Sequence, residues 1–307
     1  MSASGSLTAA YQPPADLGSL FAFFALRAIP GVEDAHWSAP DGAGHYRRTV
    51  RLTHGEGIIE LRGRHQQLFI ATVLTDQRDH PEAVVLARRL FDLDADPVAV
   101  DGVLGGDEAL APLVRARPGL RVPGLANLHE ALVRAIIGQQ ISVAAARTVT
   151  ARLAATVGAS LGFEDPAGTL NRHFPHAAAL AGLDAASLPM PRSRGRALVA
   201  AAAALAGQQL PLPVPPADLP AARRQLLALT GVGPWTADYV LLRAGGDRDV
   251  FLAGDLAIRS ALTRLGLPAD ARGAAAHATR WRPWRSYATL HLWRSLADPG
   301  PGGDHPT

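Results

Sequence analysis

The 307-residue chain has no cysteine, no lysine and only two methionines. Without thiols there can be no disulfide, no thiolate-held zinc, no iron–sulfur cluster and no cysteine nucleophile. Without lysine no side-chain amine can form a Schiff base, because every one of the 30 Lys+Arg residues is an arginine. No apolar run approaches the ~20 residues that a membrane-spanning helix needs. The N-terminus has neither a basic start nor a signal-type apolar core. These absences predict a cytoplasmic protein that does not engage a membrane.

What is present is a chain with 48% apolar residues, enough for a sizeable core. Its charge is unevenly placed. Residues 1–118 carry 11 Arg against 15 acidic side chains, and residues 119–307 carry 19 Arg against 12. The basic second part is the better partner for a polyanion.

The first part reads as α+β. Leu17–Ile29 has the look of an apolar helix, ended by Pro30 and Gly31. Tyr46–Thr53, Ile58–Leu61 and Leu68–Leu74 are strand-length runs, and His54 to Gly57 is a turn signal. Pro81–Phe91 reads as a helix. An antiparallel sheet with helices on one side is expected over 11–118. Over 119–297 strand signals stop, and an all-α region of two helical subdomains is expected. Ser142 can cap a helix through Val157, with Gly158 past its end. Arg192–Ala206, Ala222–Leu229, Pro234–Ala244, Asp255–Leu265 and Trp284–Leu296 read as further helices. The run Pro211–Pro220 carries five prolines and is expected to be a connection. Residues 1–10 and 298–307 are expected to be disordered tails.

The most informative stretch is Leu229-Thr230-Gly231-Val232-Gly233-Pro234-Trp235-Thr236-Ala237. Two glycines around one residue allow a tight turn. Gly233 can cap the following helix, with Pro234 at its first position, where a missing N–H costs nothing. The free amides of such a start suit a phosphate. Taken alone, the same pattern would also serve a plain helix–turn–helix connection. Asp255 follows Gly233 by 22 residues and stands where a helix cap belongs.

This hairpin, followed at that spacing by an Asp, resembles the helix-hairpin-helix DNA glycosylase superfamily, and within it the bacterial 3-methyladenine DNA glycosylase II family. Further likeness lies in Tyr11-Gln12-Pro13-Pro14, Leu90-Phe91-Asp92-Leu93, Arg117-Pro118-Gly119-Leu120-Arg121, Val133–Gln139, Trp281–Ala288 and His291-Leu292-Trp293, so it spans 11–297. The resemblance implies a monomeric, monofunctional enzyme, associated with the bacterial nucleoid, that hydrolyses the N-glycosidic bond of flipped-out alkylated purines in double-stranded DNA. It assigns catalysis to Asp255 and the base pocket to Trp235, Tyr239, Trp293 and Phe23. It gives the gap left by the flipped base to Gln140, and phosphate contact to Gly231, Gly233 and Thr236. No cofactor is implied beyond a monovalent cation on hairpin carbonyls. Lyase members carry Lys before the hairpin threonine, where this chain has Trp235.

Two positions depart from the best-known member of that family: Gln140 stands where it has Leu, and Leu256 where it has an aromatic residue. Phe23 lies between Phe21 and Phe24, so core packing competes there with a pocket role; Trp281 and Trp284 read as core. His173 and His176, with Pro175 between them, read as surface or cap residues and not as a metal pair. Competing readings are a glycosylase for oxidised or deaminated bases and a non-catalytic lesion-binding protein. A regulator with a glycosylase-like part would add a Cys-bearing methyl-acceptor domain, and this chain has no Cys.

Overall fold

The computed structural model describes residues 4–207 and 218–297. It opens with strand β1 (Ser4–Thr8), helix α1 (Leu17–Arg27), and strands β2 (Glu33–Ser38), β3 (Ala43–Arg51), β4 (Glu56–Arg64) and β5 (Gln67–Leu74). The strands form one antiparallel sheet in the order β1-β5-β4-β3-β2. On β5, Leu68, Ile70, Thr72 and Leu74 alternate inward, as a half-buried strand requires. A two-residue turn, His65-Gln66, joins β4 to β5, with His65 at φ +52°. Helices α1 and α2 (His80–Leu90) share one core with the sheet. Phe24 sits at its centre, with ring centroids 4.2 Å from Tyr46 and 5.1 Å from Phe91.

The expectation of a disordered tail over 1–10 is corrected over Ser4–Thr8 by β1, while residues 1–3 lie outside the described residues. Ser6 pairs with Ala71 and Thr8 with Phe69. The outer edge of β5 would otherwise present unpaired N–H and C=O groups, and a short polar strand satisfies them without any alternation visible in the sequence. The expected tail 298–307 lies outside the described residues, as do 208–217 of the proline run. Pro220 is not part of a connection. It lies in the first turn of α9 (Leu219–Leu227), capped by Asp218, where no N–H is needed.

The remaining helices are α3 (Pro97–Leu104), α4 (Ala111–Ala116), α5 (Leu128–Gly138), α6 (Val143–Val157), α7 (Ala177–Ala181), α8 (Arg192–Ala206), α10 (Pro234–Val240), α11 (Leu256–Arg264), α12 (Ala271–His277) and α13 (Arg285–Ala297). Helix α5 is the centre of this region. Eight of its eleven residues are buried, Leu128 through Ile137, and the charged Glu130 is among them. Trp281 is fully buried, its ring 5.5 Å from Phe251.

Segments far apart in sequence meet at Arg121. Its guanidinium donates to the carbonyls of Asp92 (3.1 Å), Ala95 (3.0 Å), Pro14 (3.2 Å) and Gln12. Tyr287 donates to the Asp92 carboxylate at 2.8 Å. A second tie joins the sheet to α5. Arg48 donates to Glu130 at 2.6 Å, and Arg134 donates to Glu130 at 2.6 Å and Glu33 at 2.5 Å. All four side chains are almost fully buried and carry zero net charge together. Burial alone would push the Glu130 carboxyl up, but Arg48 and Arg134 hold it below the usual carboxylate range. His173 is not a surface residue: it is buried, with Nε2 2.5 Å from Glu56. His176 caps α7, accepting from the Ala179 amide at 3.0 Å.

Candidate active site

The turn between α9 and α10 is built as its glycines suggest. Gly231 has φ +81°, a region that costs a side-chain-bearing residue strain. It is also pressed against α8, since a Cβ there would lie 2.4 Å from the Ala197 Cβ. Gly233 caps α10 in an extended conformation with Pro234 next, and a Cβ at Gly233 would meet nothing. Both glycines are exposed. Thr236 differs from what was expected of a phosphate ligand. Its side chain is buried, and its hydroxyl accepts from Gln139 Nε2 at 3.0 Å, while the same nitrogen donates to the Gly231 carbonyl at 3.2 Å. The Thr236 side chain is thus a strut between hairpin and α5, and a phosphate could reach only its backbone amide. The Gly231 carbonyl is engaged by Gln139 and the Leu229 carbonyl by the Val232 amide, so neither is an orphan that a cation must satisfy.

A cleft of about 1140 Å³ opens beside the hairpin. It is lined by Phe23 of α1, by Gln139 to Val143 between α5 and α6, by Trp235, Tyr239 and Arg243, by Asp255 and Leu256, and by Trp293 of α13. Trp235 and Tyr239, one helical turn apart, stack at 5.3 Å and 20°. Tyr239 and Trp293 lie 6.3 Å apart, tilted by 50°. The three rings form one continuous aromatic wall. Gln140 sits at the rim, exposed, with φ +57°. Leu256 is 72% exposed, a large apolar side chain open to solvent at the same rim.

Asp255 caps α11 through Oδ1, which accepts from the Ile258 amide at 3.0 Å. The same oxygen accepts from Trp293 Nε1 at 3.1 Å, and Oδ2 accepts from Trp235 Nε1 at 2.8 Å. The sequence left capping and cleft roles as alternatives that could coexist; here they coexist. Three N–H donors converge on two oxygens, an arrangement that suits an acceptor-only, ionised carboxylate. The position at a helix N-terminus adds favourable dipole.

Sequence reasoning did not find the arginines of the cleft. Arg243 donates to Tyr239 Oη at 2.6 Å and to the Pro123 carbonyl at 2.6 Å. Its guanidinium lies 4.7 Å from the Phe23 centroid, and that of Arg27 lies 3.7 Å from it. Burial, with Arg243 and Arg134 nearby, brings Arg27 down to about 10. Neither Arg27 nor Arg243 meets a carboxylate among the described residues. A spacing signal existed: each follows its pocket aromatic by four residues, Phe23 to Arg27 and Tyr239 to Arg243.

Among the described residues no helix is long and apolar enough to cross a membrane. Comparison with known proteins agrees with this architecture. The family described as "AlkA N-terminal domain" matches residues 6–127. The family described as "HhH-GPD superfamily base excision DNA repair protein" matches residues 133–286. The chain is 37% identical over 289 residues to "DNA-3-methyladenine glycosylase 2" of Escherichia coli, covering 92% of this chain and 95% of that protein. It is 43% identical over 294 residues to "Probable bifunctional transcriptional activator/DNA repair enzyme AlkA" of Mycobacterium tuberculosis. That match covers 96% of this chain but 58% of the relative, so the chain spans little more than half of that protein's length. Among solved structures, a 3-methyladenine DNA-glycosylase from Archaeoglobus fulgidus superposes with a TM-score of 0.79 at 21% identity, over 95% of this chain and 98% of that one.

Proposed function

Because the chain belongs to the HhH-GPD superfamily of base excision DNA repair proteins, we propose that it is a monofunctional DNA glycosylase acting on alkylated purines in double-stranded DNA, with Asp255 as the catalytic carboxylate. The observation that carries this reading is the Asp255 carboxylate, gripped by two indole N–H groups at 2.8 and 3.1 Å at the edge of an aromatic cleft beside the hairpin. A base inside a duplex is out of reach, so the target must be flipped out, at a cost of a few kcal/mol. The wall of Trp235, Tyr239 and Trp293 offsets part of that cost by stacking, and a base made cationic by ring alkylation gains further from electron-rich faces. Gln140 occupies the vacated stack. Gly231 and Gly233 bring amides to the DNA phosphate.

Alkylation has already made the base a good leaving group. As the C1′–N bond breaks, its electron pair goes to the base, which leaves neutral, and positive charge develops on the sugar. The fixed negative charge of Asp255 stabilises that charge. Water adds to C1′ and loses its proton to Asp255 or solvent, giving a free base and an abasic site. None of these steps draws on a metal or redox group. A monovalent cation on the hairpin carbonyls would act only by adding charge beside the phosphate. The setting proposed is a monomer working on the bacterial nucleoid in the cytoplasm.

The absence of lysine makes the reading testable as to class. A lyase forms a Schiff base with the opened sugar, and Trp235 stands where lyase members place their lysine. Untagged protein should release methylated purines from DNA, leave an intact abasic strand, and resist covalent trapping by borohydride. Trapping that maps to the helical region, or no release of any base, would overturn it. A second reading is favoured by one observation. Arg27 and Arg243 bring unpaired positive charge to the cleft, which suits neutral bases bearing acceptor oxygens. A substrate panel including deaminated and oxidised bases separates the two.

A further inference from the structure

Next to the cleft lies a smaller cavity of about 110 Å³, well above the ~10–15 Å³ that one water needs. The two share three side chains, Phe23, Arg27 and Trp293. Trp293 is fixed by its bond to Asp255. The Phe23 ring is the apolar part of the partition with no hydrogen bond to hold it, and it is kept in place by the guanidiniums at 3.7 and 4.7 Å. Behind it stand Leu20, Leu26, Leu120, Pro123 and Leu290, together with Ser19, Arg121 and Arg294. Nothing in base stacking or bond cleavage uses this space. A chamber lined mainly by apolar side chains does not suit the polar edge of a base. It suits the hydrocarbon substituent that the base carries.

We propose that Phe23 determines specificity by size: its ring closes the chamber and thereby limits how large an alkyl group a flipped base can bring into the cleft. The proposal rests on the glycosylase reading above. Removing the ring joins the two spaces and admits a bulky adduct. Leu26, 61% exposed and one turn from Phe23, marks the solvent side of the chamber, from which it can be refilled without disturbing the core.

The test uses the full chain and duplexes carrying the same purine with either a methyl or a benzyl group on the same ring nitrogen. The readout is the benzyl-to-methyl ratio of kcat/KM. Phe23→Ala should raise this ratio at least tenfold, and Leu26→Trp in that background should bring it back toward the wild-type value. Phe23→Leu should give a smaller rise in the same direction, which keeps the test informative if alanine disrupts folding. A ratio within twofold of wild type in both Phe23 variants overturns the proposal, as does a rise that Leu26→Trp leaves untouched. Wild-type protein that releases neither base overturns the glycosylase reading itself. Methyl release with an unmoved ratio overturns only the role given to Phe23.

Discussion

Replacing Asp255 with asparagine changes two things at once, and the structure says how to separate them. The carboxylate accepts three hydrogen bonds, two at Oδ1 and one at Oδ2. An asparagine can satisfy only one side. With its oxygen toward Ile258 and Trp293, its NH₂ faces Trp235 Nε1, donor against donor. An unsatisfied buried donor costs about 1–3 kcal/mol, roughly 5- to 150-fold if it falls wholly on the reaction. Loss of a charge facing a sugar cation at ~4 Å, with an effective dielectric near 20, costs about 4 kcal/mol, roughly 10³-fold. We therefore expect Asp255→Asn to lower single-turnover base release about a thousandfold, with duplex affinity unchanged in a gel-shift assay. Trp235→Phe removes the opposing N–H and keeps a ring. If charge is the function, the double variant Asp255→Asn/Trp235→Phe stays as slow as Asp255→Asn. Recovery to within tenfold of wild type would mean that the conflict with Trp235, not the missing charge, slowed the reaction, and the mechanism would fall.

Two further outcomes follow from named contacts. Gly231→Ala forces a positive φ on a side-chain-bearing residue and drives its Cβ into Ala197, so the hairpin must move off α8. Affinity for damaged and undamaged duplex should fall alike, measured across a salt series, because phosphate carries no lesion information; loss on damaged DNA alone would contradict the anchoring role. His291 is 1% exposed, neither ring nitrogen has a hydrogen-bond partner among the described residues, and burial draws its pKa down to about 4 from 6.5. Between these values the unfolded chain holds the extra proton, so stability from this group is complete above about pH 6.5 and is lost as pH falls toward 4, by about 3 kcal/mol at most. His291→Leu should flatten that part of the denaturation profile, and a wild-type profile already flat there would refute the assignment.

How legible the molecule was depended on what kind of force fixed each part. The hairpin could be read because only glycine tolerates the Gly231 conformation and the contact with Ala197, and only proline fits so cheaply at a helix start. Helix α6 could be read from Ser142 and Gly158 for the same local reason. Strands β1 and β2 were not read: Ser4–Thr8 is short and polar, the alternation of Glu33–Ser38 rests on Ala35 and Trp37 alone, and both strands are ordered by pairing with a neighbour's edge. The resemblance segments around Gln12, Asp92 and Arg121 were visible as likeness but had no stated cause; the cause is that Arg121 ties their carbonyls together. Asp255 and its aromatic neighbours were reached through the hairpin's spacing. Arg27 and Arg243 were missed because their role arises only when α1 meets the π-helical turn Leu241–Gly245 that follows α10.

That meeting explains why an N-terminal sheet domain bears on chemistry done elsewhere. Phe23 stands on α1, and the end of α1 is held by the helical region. Arg134 donates to the Arg27 carbonyl at 3.3 Å, and Arg147 donates to the Ala28 carbonyl at 2.7 Å. These are the orphan carbonyls of a helix C-terminus, where cations are favoured. Arg134 is itself fixed by Glu33 of β2 and Glu130 of α5. A planar guanidinium can serve a carbonyl and two carboxylates together, which a lysine ammonium would do with less directional control. The buried charge cluster therefore does more than join two domains. It sets where α1 ends, and so how far the Phe23 ring reaches into the cleft that Asp255 and the two indoles define.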